Sequence, residues 1–161
     1  MMERALAAVG RPLRKLAWQG ERLRWRLFHP ISLGARVIVL REREVLLVRH
    51  TYRAGWFLPG GAVDKGETLE VAARREAREE ACVDIGALHL LGVYTNFSEG
   101  MSDHVAVFVT REFTIGEFMP GNEIAECRWF ALDALPHELS PATRQRLAEL
   151  EPGAPPVADS W

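Results

Sequence analysis

Cysteine is scarce in this chain of 161 residues, with only Cys82 and Cys127. Two are too few for a disulfide scaffold, and their separation matches no zinc-ligand spacing. Both are flanked by apolar residues and read as reduced packing side chains. Long hydrophobic runs are missing too. No stretch of about 18 or more apolar residues occurs, so no membrane-spanning helix is expected. No apolar signal-type segment follows the basic start, and a cytoplasmic location is the expectation. Net charge is low, at −2. It is also unevenly spread: residues 1–29 hold seven Lys/Arg against two acidic residues, while 13 basic residues face 20 acidic ones in the remainder. An acidic body argues against general nucleic-acid binding, although a cation-filled pocket can still accept phosphates.

What is present is an ordinary globular composition, 48% hydrophobic and 26% charged, in a length that suits one domain with a real core. Residues 1–32 read as a basic, amphipathic helical arm with Leu6, Val9, Leu13, Leu16, Leu23, Trp25, Leu27 and Phe28 as its apolar positions. Gly10-Arg11-Pro12 interrupts it and His29-Pro30 ends it. The arm either packs on the domain as an extra helix or binds a partner or anionic surface. Its poverty in serine argues against an organelle transit peptide. Monomer and homodimer both stay open.

From residue 33 the pattern turns to β. Ala35-Arg-Val-Ile-Val-Leu40 and Val45-Leu-Leu-Val-Arg49 read as a hairpin, and Trp56-Phe-Leu-Pro59 as a short strand entering the Gly60-Gly61 turn. Thr68 is the expected N-cap of a helix over about residues 69–81, whose inner face is Leu69, Ala72, Ala73, Ala77 and Ala81. Further strands are expected at 86–95, 103–113 and 124–131, and a second helix at about 140–150 with Ser140 as N-cap and Pro141 at its first position. Residues 151–161, with Pro152, Pro155 and Pro156, read as a mobile tail. These elements fit an α/β/α sandwich around a mixed sheet.

Within the first helix, Glu76, Glu79 and Glu80 stand at i, i+3 and i+4, directly behind a glycine-rich turn. Their side chains crowd onto one face, where like charges repel. A solvated acidic face partnered by Arg74, Arg75 and Arg78 is one reading. Oxygen ligands for a hard divalent cation such as Mg²⁺ are the other.

The ordered spacing discriminates between them. Gly61, five residues, Glu67, seven residues, Arg75-Glu76, then Ala77, Glu79-Glu80 and Val83 closely resemble the box of the Nudix hydrolase family, G-x5-E-x7-R-E-U-x-E-E-x-G-U, where U is bulky and aliphatic. Two positions depart from it: Ala77 is a small occupant of the first U, and Cys82 replaces the final glycine. Resemblance covers roughly residues 33–150 and implies the Nudix sandwich and hydrolysis of a nucleoside diphosphate linked to another moiety. It further implies Glu79 and Glu80 as ligands of Mg²⁺ or Mn²⁺, and Glu76 as ligand or general base. The Gly60 carbonyl would complete the metal site, with Glu67 and Arg75 as a supporting pair. Asn122-Glu123-Ile-Ala-Glu126-Cys-Arg-Trp129-Phe130 resembles the segment leading into the last strand of such folds, which makes Glu123 the preferred distal ligand or base and Glu126 the reserve. A glycine at 82 would suit a left-handed helix cap, so cysteine there should cost about 1 kcal/mol if the conformation is kept.

Substrate identity is less legible. Tyr52, Phe97 or Trp129 could stack on a base and Arg53 could meet phosphate, while Trp56 and Trp129 read equally as core. An ADP-ribose-like or nucleoside triphosphate substrate leads. Removal of pyrophosphate from RNA 5′ ends, with the basic arm holding RNA, is the alternative within enzymes, and a non-catalytic nucleotide sensor is the alternative outside them.

Overall fold

A strand buried on both faces must be apolar at nearly every position, and the run from Ala35 to Leu40 is apolar except at Arg36. The computed structural model, which describes residues 31–97, 102–150 and 153–161, sets this run in β1 (Ile31–Arg41) at the centre of the main sheet. It is followed by β2 (Glu44–His50), β3 (Gly60–Ala62), α1 (Leu69–Ala81), β4 (Val83–Ile85), β5 (His89–Asn96), β6 (Ser102–Thr110), β7 (Phe113–Ile115), β8 (Ile124–Ala131), α2 (Pro141–Ala148) and β9 (Val157–Ser160). The main sheet runs β8-β2-β1-β6-β5-β9, with β3 also paired to β1. Pairs β1–β6 and β5–β9 are parallel and the rest antiparallel, so the sheet is mixed.

Alternation along the strands splits the core in two. Ala35, Val37, Val39, Leu46, Val48, Ala106 and Phe108 face α1 through its fully buried Ala72, Ala73, Ala77 and Ala81. Ile38, Leu40, Val45, Leu47, Val105 and Val107 form the opposite core with Leu139 and Leu147, at the level of α2. This is the expected α/β/α sandwich. Among the described residues no helix is long and apolar enough to cross a membrane.

Helix α1 starts where expected: Thr68 is extended, and its Oγ1 accepts from the Val71 N–H at 3.2 Å. The alanine face lets α1 lie close to the sheet, where a larger inner residue would force the layers apart.

Several local expectations are corrected. The basic arm lies outside the described residues up to residue 30, but Ile31 and Ser32, expected within it, already belong to β1 and pair with Ser102 and Asp103. Residues 56–59 are not a strand. They are held by isolated bridges, Val48 to Phe57 and Trp56 to Leu139. The expected strand at 103–113 breaks after Thr110, whose buried hydroxyl donates to the Ala87 carbonyl at 2.7 Å and accepts from the Glu112 N–H. Residues 113–115 then leave the main sheet and pair with β4. Ser140 is the N-cap residue of α2, as expected, but makes no side-chain cap bond, and its backbone N–H donates to the Trp56 carbonyl at 3.0 Å.

The tail is not free either. β9 pairs with β5, and the Trp161 N–H donates to the Thr95 carbonyl at 2.9 Å. Arg146 explains why. Fully buried, it lies 3.8 Å from the Tyr94 ring centroid and donates to the Ser160 carbonyl and to Glu149, which also accepts from the Tyr94 hydroxyl. Proline content alone does not reveal an arginine waiting beneath the strand.

Between β1 and β2 lies the feature that positions the site. The two strands pair only near their turn, at Leu40–Val45 and Arg41–Glu44. Farther along, the chain from Phe57 to Ala62 wedges between them. Phe57 exchanges both backbone bonds with Val48, Pro59 accepts from Val37 at 2.9 Å, and β3 pairs with β1.

Cys82 caps α1 in the left-handed region, at φ 53° and ψ 36°, with its N–H directed to the carbonyls of Ala77 and Arg78. The glycine conformation is therefore kept with a side chain in place, which strains it by about 1 kcal/mol. Cys82→Gly is expected to raise the thermal unfolding midpoint and leave activity intact. A lower midpoint would show that the thiol's packing outweighs the backbone strain.

Candidate active site

The wedge delivers two glycines to α1: backbone excludes a larger residue at Gly60, and at Gly61 one would push the Glu76 carboxylate aside. Gly60 has φ +143°, and a Cβ there would overlap the Ala35 carbonyl oxygen. A Cβ at Gly61 would overlap the Glu76 carboxylate. Backbone therefore comes within hydrogen-bond reach of helix side chains, and the Gly60 N–H donates to Glu80 Oε2 at 2.8 Å.

The three glutamates have different surroundings. Glu80 is buried, at 8% exposure. Burial pushes its pKa up to about 7, against the pull of the Gly60 N–H and of Arg36, and with a further push from Glu76 and Glu123. Its neighbour His50 comes within 3.8 Å through Nδ1, too far for a hydrogen bond. Burial, reinforced by Arg36 and Arg53, pushes the His50 pKa down to about 4, so the ring is neutral at pH 7 and supplies no counter-charge. Its Nδ1 is buried without a partner among the described residues. Glu76 is mostly buried and accepts from Arg75 Nη1 at 2.7 Å. Glu79 is exposed and lies 3.3 Å from the same nitrogen.

Arg75 organises this face. Its Nε and Nη2 form a bidentate fork on Glu67, both bonds 2.9 Å, and Nη2 also donates to the Ala62 carbonyl at 3.0 Å. Glu67 in turn accepts from the Asp64 N–H at 3.0 Å. One guanidinium thus ties the loop after Gly61 to the helix and spreads positive charge over four carboxylates, those of Asp64, Glu67, Glu76 and Glu79. The fork and the Asp64 N–H hold the Glu67 pKa down to about 2.

Glu123 sits on an exposed stretch just before β8. A register shift opposite Arg49 and His50, between Ile124 and Glu126, follows it, and its carbonyl accepts from the Thr51 N–H at 2.9 Å. Its charge reaches both Glu80 and Tyr52, whose pKa is raised by burial and then by these two carboxylates. Glu126, the reserve, is engaged by Arg49 at 2.6 Å. Glu76, Glu80, Gly60, Glu67 and Arg75 are therefore brought together directly, Glu123 stands near them, and Glu79 faces outward. Among the described residues no three acidic, histidine or cysteine side chains are preassembled as a closed metal cage. The donor set still suits a hard cation: all-oxygen ligands, one of them a buried carboxylate lacking a full counter-charge.

Aromatic expectations divide. Tyr52 and Phe97 are exposed, at 53% and 75%. Trp56 is core and packs edge-on against Phe130, and Trp129 stacks on Phe113 under the Arg41 guanidinium. Arg53 lies over Phe57, 4.3 Å from its centroid. Sequence reasoning missed Arg36 and gave His50 no role. The available signal for Arg36 was a single cation interrupting an otherwise apolar strand.

Comparison with known proteins agrees with this geometry. The NUDIX domain family profile matches residues 30–150. A protein of Bacillus subtilis (strain 168) described as a candidate 8-oxo-dGTP diphosphatase is 35% identical over 126 residues, covering 77% of this chain and 83% of that protein. An ADP-ribose pyrophosphatase of Methanocaldococcus jannaschii is 29% identical over 117 residues, covering 70% and 69%. Among solved structures, a MutT NUDIX hydrolase from Burkholderia pseudomallei superposes with a TM-score of 0.68 at 29% identity, over 76% of this chain and 99% of that one.

The depressed Glu67 pKa has a stability consequence of defined sign. A carboxyl that releases its proton more readily when folded stabilises the fold above its ordinary pKa of 4.5, and that contribution is lost as pH falls toward about 2. In urea denaturation between pH 5 and pH 2, Glu67→Gln should therefore lose stability less steeply than the wild type. Equal slopes would show that the Arg75 fork gives the ionised form no advantage.

Proposed function

This chain belongs to the Nudix family and is a hydrolase of nucleotide derivatives; from that premise we propose that it cleaves the pyrophosphate of a nucleoside diphosphate linked to another moiety, with a divalent cation held by Glu76, Glu79, Glu80 and the Gly60 carbonyl. The observation that carries this reading is the state of Glu80. It is a buried carboxylate supported by one backbone N–H, beside a neutral histidine and near two further carboxylates. Such a group lacks positive charge, and an oxygen-seeking dication is the partner its donors suit. Glu79 joins by turning from solvent toward its neighbours one helical turn away.

When bound, Mg²⁺ or Mn²⁺ supplies charge neutralisation at phosphate oxygens and a lower pKa for water. The chain's own residues do the rest. A water oxygen attacks phosphorus, the bridging P–O bond breaks, and two phosphorylated fragments leave. The water's proton goes to Glu123, which is exposed and has no ion pair among the described residues, whereas Glu76 is held by Arg75. Arg75 and Glu67 fix the loop against the helix, so the carboxylates keep their spacing as charge develops. Tyr52, exposed beside the carboxylates, offers a face on which a base can stack. The names of relatives support ADP-ribose-like compounds and nucleoside triphosphates as the first substrates to try.

A panel of ADP-ribose, dinucleoside polyphosphates, nucleoside triphosphates and 5′-triphosphate RNA, assayed with Mg²⁺ and Mn²⁺, tests the proposal. Glu80→Gln and Glu79→Gln should each lower kcat on the best substrate by roughly 100-fold or more, the scale of losing one electrostatic element of a phosphoryl-transfer site. Full activity in either variant would remove that residue from the metal site. Glu123→Gln should flatten the acid limb of the pH–rate profile; if Glu76→Gln does so instead, Glu76 is the base.

Glu80 also predicts a metal-dependent stability. Its folded pKa of about 7 lies above its ordinary 4.5, so the folded protein holds the proton more tightly and metal-free stability falls as pH rises across that window. Mg²⁺ should therefore raise the unfolding midpoint more at pH 8 than at pH 5.5, and Glu80→Gln should abolish the difference. A Mg²⁺ shift independent of pH and of Glu80 would contradict the assignment.

A further inference from the structure

Four described arginines are not fully exposed, and three of them pair with a carboxylate: Arg74 with Glu70, Arg75 with Glu67 and Arg146 with Glu149. Arg36, half-buried, has no ion pair or hydrogen bond from its guanidinium among the described residues. A guanidinium withdrawn from water without a partner destabilises a fold. Its retention in the middle of an apolar strand calls for a group that arrives from outside.

Its location says which group. Arg36 stands in register with Gly60, whose N–H donates to Glu80. Its aliphatic stem runs along that glycine so closely that a Cβ at Gly60 would lie 2.9 Å from Arg36 Cδ. Arg36 and Glu80 therefore flank the same glycine, and the Arg36 charge lies near enough to act on Glu80, His50 and Tyr52. Among the described residues Glu80 comes within ion-pair distance of His50 and not of Arg36, and no described carboxylate takes the Arg36 donor fork. The charges around Glu80 are otherwise acidic, from Glu76 and Glu123, and would repel a polyanion.

We propose that Arg36 is a positioning and specificity residue that binds the substrate's pyrophosphate, its planar fork taking non-bridging oxygens of the phosphate that the carboxylate-held cation leaves uncovered. The proposal rests on the pyrophosphohydrolase reading above and adds to it a protein-borne cation on the Gly60 side of the site. Two parallel N–H donors match phosphate oxygens in a way that a point charge does not. The competing role is internal: Arg36 would only offset the buried charge of Glu80.

Arg36→Gln and Arg36→Lys separate these roles, with hydrolysis of the best substrate in the panel and calorimetric binding of inorganic pyrophosphate as readouts, both under saturating Mg²⁺. Loss of a charge-assisted bond should weaken pyrophosphate binding and lower kcat/KM by about 10- to 100-fold in Arg36→Gln. Arg36→Lys should recover part of the binding, and the Mg²⁺ half-saturation should stay near the wild-type value. If Arg36→Gln keeps its pyrophosphate affinity and KM but shifts the Mg²⁺ half-saturation, Arg36 serves Glu80 alone and the proposal falls. If Arg36→Gln does not fold, a folded Arg36→Lys protein with undiminished pyrophosphate affinity overturns the fork and a weakened one supports it. A wild type that hydrolyses nothing yet binds pyrophosphate through Arg36 would refute the hydrolase reading and leave the anion site standing.

Discussion

The close approach of backbone to helix at Gly60 and Gly61 is the constraint on which the site depends. The chain from Phe57 to Ala62 fills a gap that β1 and β2 open by parting beyond their turn. Filling it leaves no room for a side chain at Gly60, whose Cβ would strike the Ala35 carbonyl, and a Cβ at Gly61 would displace the Glu76 carboxylate. The alanines of α1 complete the fit from the other side. Were the helix to stand farther off, Glu80 could not reach the Gly60 N–H, and the carboxylate would be either solvated or orphaned.

Three like charges on one helix face are tolerable because the burden is divided. Arg75 bonds Glu76 and approaches Glu79 while gripping Glu67, so a single guanidinium answers several carboxylates. Glu79 keeps its contact with water. Glu80, the most buried of the three and without the arginine that Glu76 has, receives little compensation and holds its proton more tightly. The arrangement leaves one deficit of positive charge at one point, which is what a cation site needs before the cation arrives.

Local conflicts with stability gather around this point. Among the described residues, His50 buries an unpartnered nitrogen, Glu80 is a desolvated acid and Arg36 is a half-buried cation without an ion pair. Away from the site, buried charge is handled differently: Arg146 is covered by Tyr94 and bonded to Glu149 and Ser160. Violations of local rules that gather beside one glycine turn are the pattern expected where binding and stability pull apart.

By itself the sequence determined the elements whose physics is local and the site whose spacing is fixed. Thr68 and the alanine face specified α1, continuous apolar runs specified strands covered on both sides, and the interval from Gly61 to Val83 specified the carboxylate face and its Arg75–Glu67 support. It also marked Cys82 as a left-handed cap, which is the conformation found. Tertiary structure alone decided the rest, because those features depend on partners distant along the chain. The tail became a strand because buried Arg146 meets Ser160. Residues 56–59 became a wedge because β1 and β2 part, and β7 left the main sheet because Thr110 closes a turn there. The segment pattern already preferred Glu123 to Glu126, but it did not show that Arg49, across the sheet, engages Glu126. Arg36 shows the division most clearly: one letter in an apolar run gained meaning only when pairing set it beside Gly60. The three glutamates were legible as a cluster, but which of them is buried, and so short of positive charge, was not.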